Sequence, residues 1–287
     1  MMLFLAVSDA YGSGFEFRAE SSIRKYNDAE SYHPFPEHKV IPGRYTDDTQ
    51  MSIAIAEALT EHVAEIQAGW IWPRECLATH FVKAFQRDPR SSYSPGFGSI
   101  LKAAKDGQDL LKTISGNSDK SGAAMRAMPI GFLKPLDKVL QFSSIQAAVT
   151  HNTPGGIAAA LASAAAAHYF IYDVGPKADL AKWLEKTVPG YPWSTPWVGK
   201  VSTNGIECVR AAITAILGND GLKSILKASV GFTGDTDTVA AIAVACASES
   251  KEIKQDLPDA LINGLEDGQY GKKYLMELDE KLKKFLA

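Results

Sequence analysis

Apolar and polar positions along the chain repeat at helical spacing. After Asp48, the residues Met51, Ala54, Ile55, Ala58 and Leu59 recur at i, i+3, i+4, i+7 and i+8, which marks one face of a helix. After Asp237, Val239, Ile242, Ala243 and Cys246 repeat that pattern, and Ala158 to Ala167 is alanine-dense, as suits a helix packed closely between neighbours. Similar periodicity predicts helices over 74–86, 97–104, 123–133, 143–150, 178–186, 204–217, 221–228 and 272–285. Met1 to Val7 is apolar and predicts a core helix beginning almost at the first residue. Alternating runs bounded by hairpin turns are scarce, so the expected fold class is all-α.

Three loops separate these segments. Residues 27–45 carry Asn27, Pro34, Pro36, Pro42 and Gly43 and read as a long irregular connection, of the kind that often forms a lid or binding segment. Residues 113–122 are rich in Ser, Gly, Asn and Asp, and residues 189–197 interleave proline with Tyr191, Trp193 and Trp197. None is long or biased enough for an interdomain linker, so a single domain over 1–287 is expected. That length buries a substantial core. At 46% hydrophobic and 22% charged, the composition argues against disorder, and a net charge of -3 offers no basic footprint for nucleic acid.

The three cysteines, Cys76, Cys208 and Cys246, are scattered and form no CxxC pair, which argues against a disulfide framework or structural zinc. Cys246 sits in an apolar helical run and reads as a core thiol. Met1 to Val7 is too short to cross a membrane and lacks the basic leader of a signal peptide. A cytoplasmic protein with no membrane partner is therefore expected. No heptad repeat stands out, so a monomer is expected.

The chemistry concentrates in two acidic clusters, Thr46-Asp47-Asp48-Thr49 and Asp235-Thr236-Asp237-Thr238, each placed just before an amphipathic helix. Helix capping would explain one oxygen in each, since Thr and Asp accept hydrogen bonds from the free N–H groups of a first turn. It does not explain paired carboxylates, which repel unless positive charge lies between them. Ligation by oxygen alone suits hard divalent cations, Mg²⁺ or Mn²⁺. If the two helix starts face each other, one carboxylate can bridge two cations that bind hydroxyls and activate a water.

These residues form part of a larger pattern. Asp9-Ala10-Tyr11-Gly12 with Glu16-Phe17, then Tyr45-Thr46-Asp47-Asp48-Thr49, Met125-Arg126, Thr150-His151 and Gly234-Asp235-Thr236-Asp237-Thr238 occur in this order. The string resembles the ADP-ribosylglycohydrolase family, which includes the bacterial dinitrogenase reductase-activating glycohydrolase and the ADP-ribosyl-acceptor hydrolases of animals. The resemblance implies one all-helical domain with a binuclear Mg²⁺ or Mn²⁺ cleft. Thr46, Asp47 and Asp48 would serve one side of the centre and Asp235, Asp237 and Thr238 the other, with Asp237 as the bridge. Glu16 would be a mobile ligand or an acid–base group. Glu16, Asp47, Asp48 and Asp237 are thus the implied catalytic residues.

The resemblance also implies ADP-ribose contacts at Ser121, Gly122, Ala123 and His151. The segment Ser121–Ala124 is expected to enter a helix whose free N–H groups cradle a diphosphate. Arg126 would touch phosphate or form an ion pair on its helix. Tyr191, Trp193 and Trp197 would stack on adenine or pack on the body. His33 and His38 read as solvated loop residues. Ser8 stands where relatives usually carry glycine, and the stretch 117–122 has less glycine than is common.

The expected activity is hydrolysis of ADP-ribose from a modified protein or small molecule, with ADP-ribose as product and ADP-ribosyl-arginine as the favoured substrate. Serine-linked, polymeric and small-molecule ADP-ribosyl substrates are alternatives. So is a catalytically silent ADP-ribose-binding or structural member, which the presence of all four aspartates argues against.

Overall fold

The computed structural model describes residues 1–34, 41–90 and 92–286. The chain begins in helix α1 (Met2–Ser13), passes the short α2 (Glu20–Tyr26), and enters α3 (Asp47–Glu61) behind the first acidic cluster. The helices α4 (Val63–Gln67), α5 (Arg74–Arg87), α6 (Pro95–Ala103) and α7 (Gly107–Thr113) follow. Next come α8 (Leu136–Thr150), α9 (Pro154–Ile171), α10 (Leu180–Thr187), α11 (Gly205–Leu217) and α12 (Leu222–Gly231). The second acidic cluster opens α13 (Thr236–Ala247), and α14 (Asp259–Gly264) and α15 (Lys272–Leu282) end the series. Among the described residues there is no strand, only isolated backbone bridges.

Helix α13 is the axis of the domain. All of its residues from Thr236 to Ala247 are buried, as expected for a helix apolar on every side. Its Val239, Ile242 and Val244 stabilise the fold by roughly 1.5–3 kcal/mol each. Around it pack α1, α11 and α12, with α9 and α3 making smaller contacts. Helix α9 is long and apolar enough to cross a membrane, yet 72% of it is buried inside the fold. Its alanines let α8 and the 3₁₀ segment Met128–Phe132 approach closely. Cys246 is fully buried, a core thiol as expected.

Two stretches depart from the periodicity. The helix expected over 123–133 does not form; two 3₁₀ turns, Ser121–Ala123 and Met128–Phe132, stand in its place. Side chains from neighbouring helices take the carbonyls that an α-helix would use: Gln146 Nε2 donates to Ala123 O at 2.8 Å and Ser52 Oγ to Met125 O at 3.1 Å. Pro129, which lacks an N–H, adds to the break. The helix expected over 143–150 starts earlier, at Leu136.

Part of the 27–45 connection folds back on α1. Tyr11 Oη accepts from Ala29 N at 2.7 Å, and Tyr32 Oη donates to the Val7 carbonyl at 3.4 Å. His33 is not merely solvated, because it pairs with Asp28 at 3.1 Å. His38 lies outside the described residues.

Candidate metal centre

Three chain segments converge on one place. The end of α1 and the turn after it supply Asp9 and Glu16; the start of α3 supplies Thr46, Asp47 and Asp48; the start of α13 supplies Asp235, Asp237 and Thr238. Contact between α1 and α13 is backbone to backbone. A Cβ at Gly12 would lie 2.5 Å from Asp237 Cα, and Thr236 Oγ1 donates to the Gly12 carbonyl at 2.9 Å. Phe17 N donates to Gly234 O at 2.8 Å and holds the turn that carries Glu16 against the second cluster. Across 190 residues of chain, Thr238 Oγ1 donates to Asp48 Oδ1 at 2.9 Å, so the two helix starts meet. Carboxylate oxygens of Glu16, Asp235 and Asp237 all lie within 4.8 Å of one another.

Capping accounts for only part of this arrangement. Thr46 caps α3, accepting from Asp48 N at 3.3 Å. Asp235 stands at the N-cap of α13 but makes no side-chain cap bond. Its Oδ2 instead accepts from Ser121 Oγ at 3.0 Å and faces the weak donor Cys208 Sγ at 3.5 Å. These two groups orient the carboxylate from behind, a supporting role that metal ligands regularly need. Asp9, fully buried, does the same for the first cluster. It accepts from Thr46 N (2.9 Å), Thr46 Oγ1 (2.8 Å), Thr49 N (3.0 Å) and Thr49 Oγ1 (2.5 Å).

So many acids in a dry place are mutually hostile. Burial, then Asp9, Asp47 and Asp235, hold the Asp48 carboxyl well above its usual range, and burial with Glu16 and Asp48 does so for Asp237. Asp47 is pushed up to about 7 by burial and the charge of Asp9, and Glu16 to about 8 by burial and Asp235. Arg126 is the cation that opposes the shift at Asp47. Oxygen donors alone, clustered, buried and short of counter-charge, fit hard divalent cations.

The sign of the pH dependence follows. Without metal, the unfolded chain releases these protons near pH 4, whereas the fold retains them to about pH 7 at Asp47 and about pH 8 at Glu16. The folded state then binds more protons, and its stability falls as pH rises through that window. A divalent cation bound there would take over from the protons, so a stabilising effect of saturating Mg²⁺ is expected to grow with pH. Thermal melts in chelator and in Mg²⁺ across this range are the check; a magnesium shift that fails to grow with pH would count against the cation.

Comparison with known proteins agrees with the geometry. The sequence model of one family, ADP-ribosylglycohydrolase, matches residues 1–286. The chain belongs to the ADP-ribosylglycohydrolase family. It is 26% identical over 275 residues to the ADP-ribosyl-[dinitrogen reductase] glycohydrolase of Rhodospirillum rubrum, covering 92% of this chain and 88% of the relative. An uncharacterized protein of Archaeoglobus fulgidus is 27% identical, with 98% and 94% covered. The ADP-ribosylhydrolase ARH1 of Dictyostelium discoideum is 27% identical over 66% of this chain and 51% of its own length. A solved structure described as an ADP-ribosylglycohydrolase-related protein complex superposes with a TM-score of 0.73 at 18% identity, covering 100% of this chain and 96% of its own. The family is one of metal-dependent ADP-ribosyl hydrolases, and this member keeps an acidic cluster suited to metal.

Other residues singled out in the sequence sit around this centre in unequal ways. Ser121 supports Asp235, so its hydroxyl is committed to the acidic cluster. Gly122 lies against His151, with a Cβ placed 2.9 Å from His151 Cε1. Ala123 is fully buried and gives its carbonyl to Gln146, so its side chain faces the core. The segment does not enter an α-helix, and no helix dipole points from it. Among the described residues Arg126 forms no ion pair, and it does not lie on an exposed helix; it is buried against Gln146, Thr150 and the Phe81 ring. Trp193 is buried, with Nε1 donating to Val188 O at 2.8 Å, which places it in the body of the protein.

The sequence reading assigned no part to Asp9, Thr49 or Cys208. Asp9 carried a signal, an acid amid an otherwise apolar helix; Thr49 and Cys208 carried none apart from their positions.

Proposed function

We propose that this protein is a two-cation hydrolase that removes ADP-ribose from arginine side chains of modified proteins. The convergence of Glu16, Asp235 and Asp237, joined to Asp48 through Thr238, is the observation that carries this reading. Thr46, Asp47 and Asp48 on one side, Asp235 and Thr238 on the other, and Asp237 between them are the residues that would hold Mg²⁺ or Mn²⁺. Bound cations would neutralise the acids, bind hydroxyls of the terminal ribose and lower the pKa of a water.

The residues of the chain do the rest. Asp9 fixes Thr46, and Ser121 with Cys208 fixes Asp235, so the ligand oxygens are set before substrate arrives. Glu16, half-buried, exchanges a proton with the acceptor. The bond between the anomeric carbon and the guanidinium nitrogen breaks, water adds to the carbon, and arginine leaves with its nitrogen protonated. Likeness to the bacterial glycohydrolase supports arginine over serine as the acceptor. His151 and the Ser121–Ala123 turn contact the ADP-ribose.

The test is release of ADP-ribose by the purified protein, with Mg²⁺ or Mn²⁺, from arginine-modified and from serine-modified protein. Faster release from arginine is expected; no release from either would end the hydrolase reading, and faster release from serine would end the choice of acceptor.

A further inference from the structure

A chain of polar groups without any carboxylate runs beside the acidic cluster. Arg126 is 1% exposed. Its Nη2 donates to Thr150 Oγ1 at 2.8 Å and to the Gln146 carbonyl at 3.1 Å, and its Nε donates to Gln146 Oε1 at 2.7 Å. Thr150 Oγ1 lies 2.6 Å from His151 Nδ1. A guanidinium donates and never accepts. Thr150 receives from Arg126; its hydroxyl could accept a second time, but among the described residues no other acceptor for its own proton is in reach, so that proton turns to His151 Nδ1.

An imidazole that accepts at Nδ1 carries its proton on Nε2. A second proton is opposed, since burial and the charges of Arg126 and Lys120 hold His151 down at about 3. Nε2 has no hydrogen-bond partner among the described residues, and Gly122 leaves this edge of the ring uncovered by any side chain of its own: a Cβ there would stand 3.2 Å from Nε2.

We propose that Arg126 and Thr150 fix His151 as a neutral Nε2–H donor that binds an oxygen acceptor of ADP-ribose. The identity of the acceptor rests on the hydrolase reading above; the tautomer rests on the hydrogen-bond chain alone. His151 then serves as neither general base nor metal ligand through Nε2, and Arg126 and Thr150 are positioning residues. The acceptor is a diphosphate oxygen or a ribose hydroxyl, which share this chemistry.

Long-range ¹H–¹⁵N spectra of histidine-labelled protein read the tautomer directly. Nδ1 is expected unprotonated and Nε2 protonated, unchanged from about pH 5 to about pH 8. Thr150→Val should mix the two tautomers and weaken ADP-ribose binding, measured by calorimetry, by ~10-fold, the loss of about one hydrogen bond. Thr150→Ser, which keeps the hydroxyl, should restore both. Equal weakening of ADP and ADP-ribose marks a diphosphate oxygen; weakening of ADP-ribose alone marks the terminal ribose.

A protonated Nδ1, titration within that window, or unchanged binding in a folded Thr150→Val protein would overturn the proposal. Should Thr150→Val fail to fold, the wild-type spectrum and Thr150→Ser still decide it. Wild-type protein that binds no ADP-ribose would sink the hydrolase reading, while the spectrum would still judge the tautomer.

Discussion

Asp237→Ala is expected to lower turnover of an ADP-ribosylated protein by at least about 100-fold, the upper range of what disturbing even an outer partner of a metal ligand costs. Asp237 stands where all the segments meet: its backbone touches α1, and Glu16, Asp48 and Asp235 each raise its carboxyl. Removing it takes away the proposed bridge. The same change relieves a buried repulsion in the metal-free protein, so its melting temperature in chelator at neutral pH is expected to match or exceed that of the wild type. The rise in melting temperature on adding Mg²⁺ should largely vanish. Kinetics and paired melts check both halves; a variant that keeps more than about a tenth of wild-type turnover would show that Asp237 is not central.

Gly12→Ala is expected to do similar damage without touching an acid. Alanine favours a helix interior by roughly 1 kcal/mol over glycine, so the local effect alone would stabilise α1. The added methyl, however, falls 2.5 Å from Asp237 Cα and 2.8 Å from Thr236 O, both backbone atoms that no rotamer change can clear. Overpacking of this kind costs about 1–3 kcal/mol, which outweighs the gain. Relief requires α1 to withdraw from α13 by about an ångström, carrying Glu16 from Asp237, and displacements of that size cost on the order of 100-fold in rate. We expect a lower melting temperature, a large loss of turnover and weaker Mg²⁺ binding by calorimetry. Wild-type metal affinity in the variant would mean that the α1–α13 contact does not set the site.

The acidic helix starts were legible because each motif is short, contiguous and followed by a helical stripe, so local pattern and chemistry coincide at Asp48 and Asp237. Long helices such as α9 and α11 were visible for the same reason. What escaped depends on distant partners. Ser121 read as part of a phosphate loop, and nothing in that reading announced that its hydroxyl also supports Asp235, 114 residues away. Residues 123–133 are apolar enough for a helix, but Gln146 and Ser52 capture their carbonyls, which local periodicity does not foresee. Arg126 carries a charge that argues for the surface, and the ring of Phe81 and the oxygens of Gln146 and Thr150 help make its burial tolerable. Short helices α2, α4, α7 and α14 have too few turns to announce a period.

The most extensive helix pairing joins the beginning of the chain to a segment more than two hundred residues later. During synthesis the first helix emerges with its apolar surface and Asp9 already made, but without its companion. That surface stays uncovered until α13 has been translated. Closure of so distant a contact belongs to the slow end of folding, and the proposed cation site would be complete only after that closure. Chains ending before residue 236 and freed from the ribosome should therefore bind magnesium far more weakly than the full chain, however well their own helices have formed.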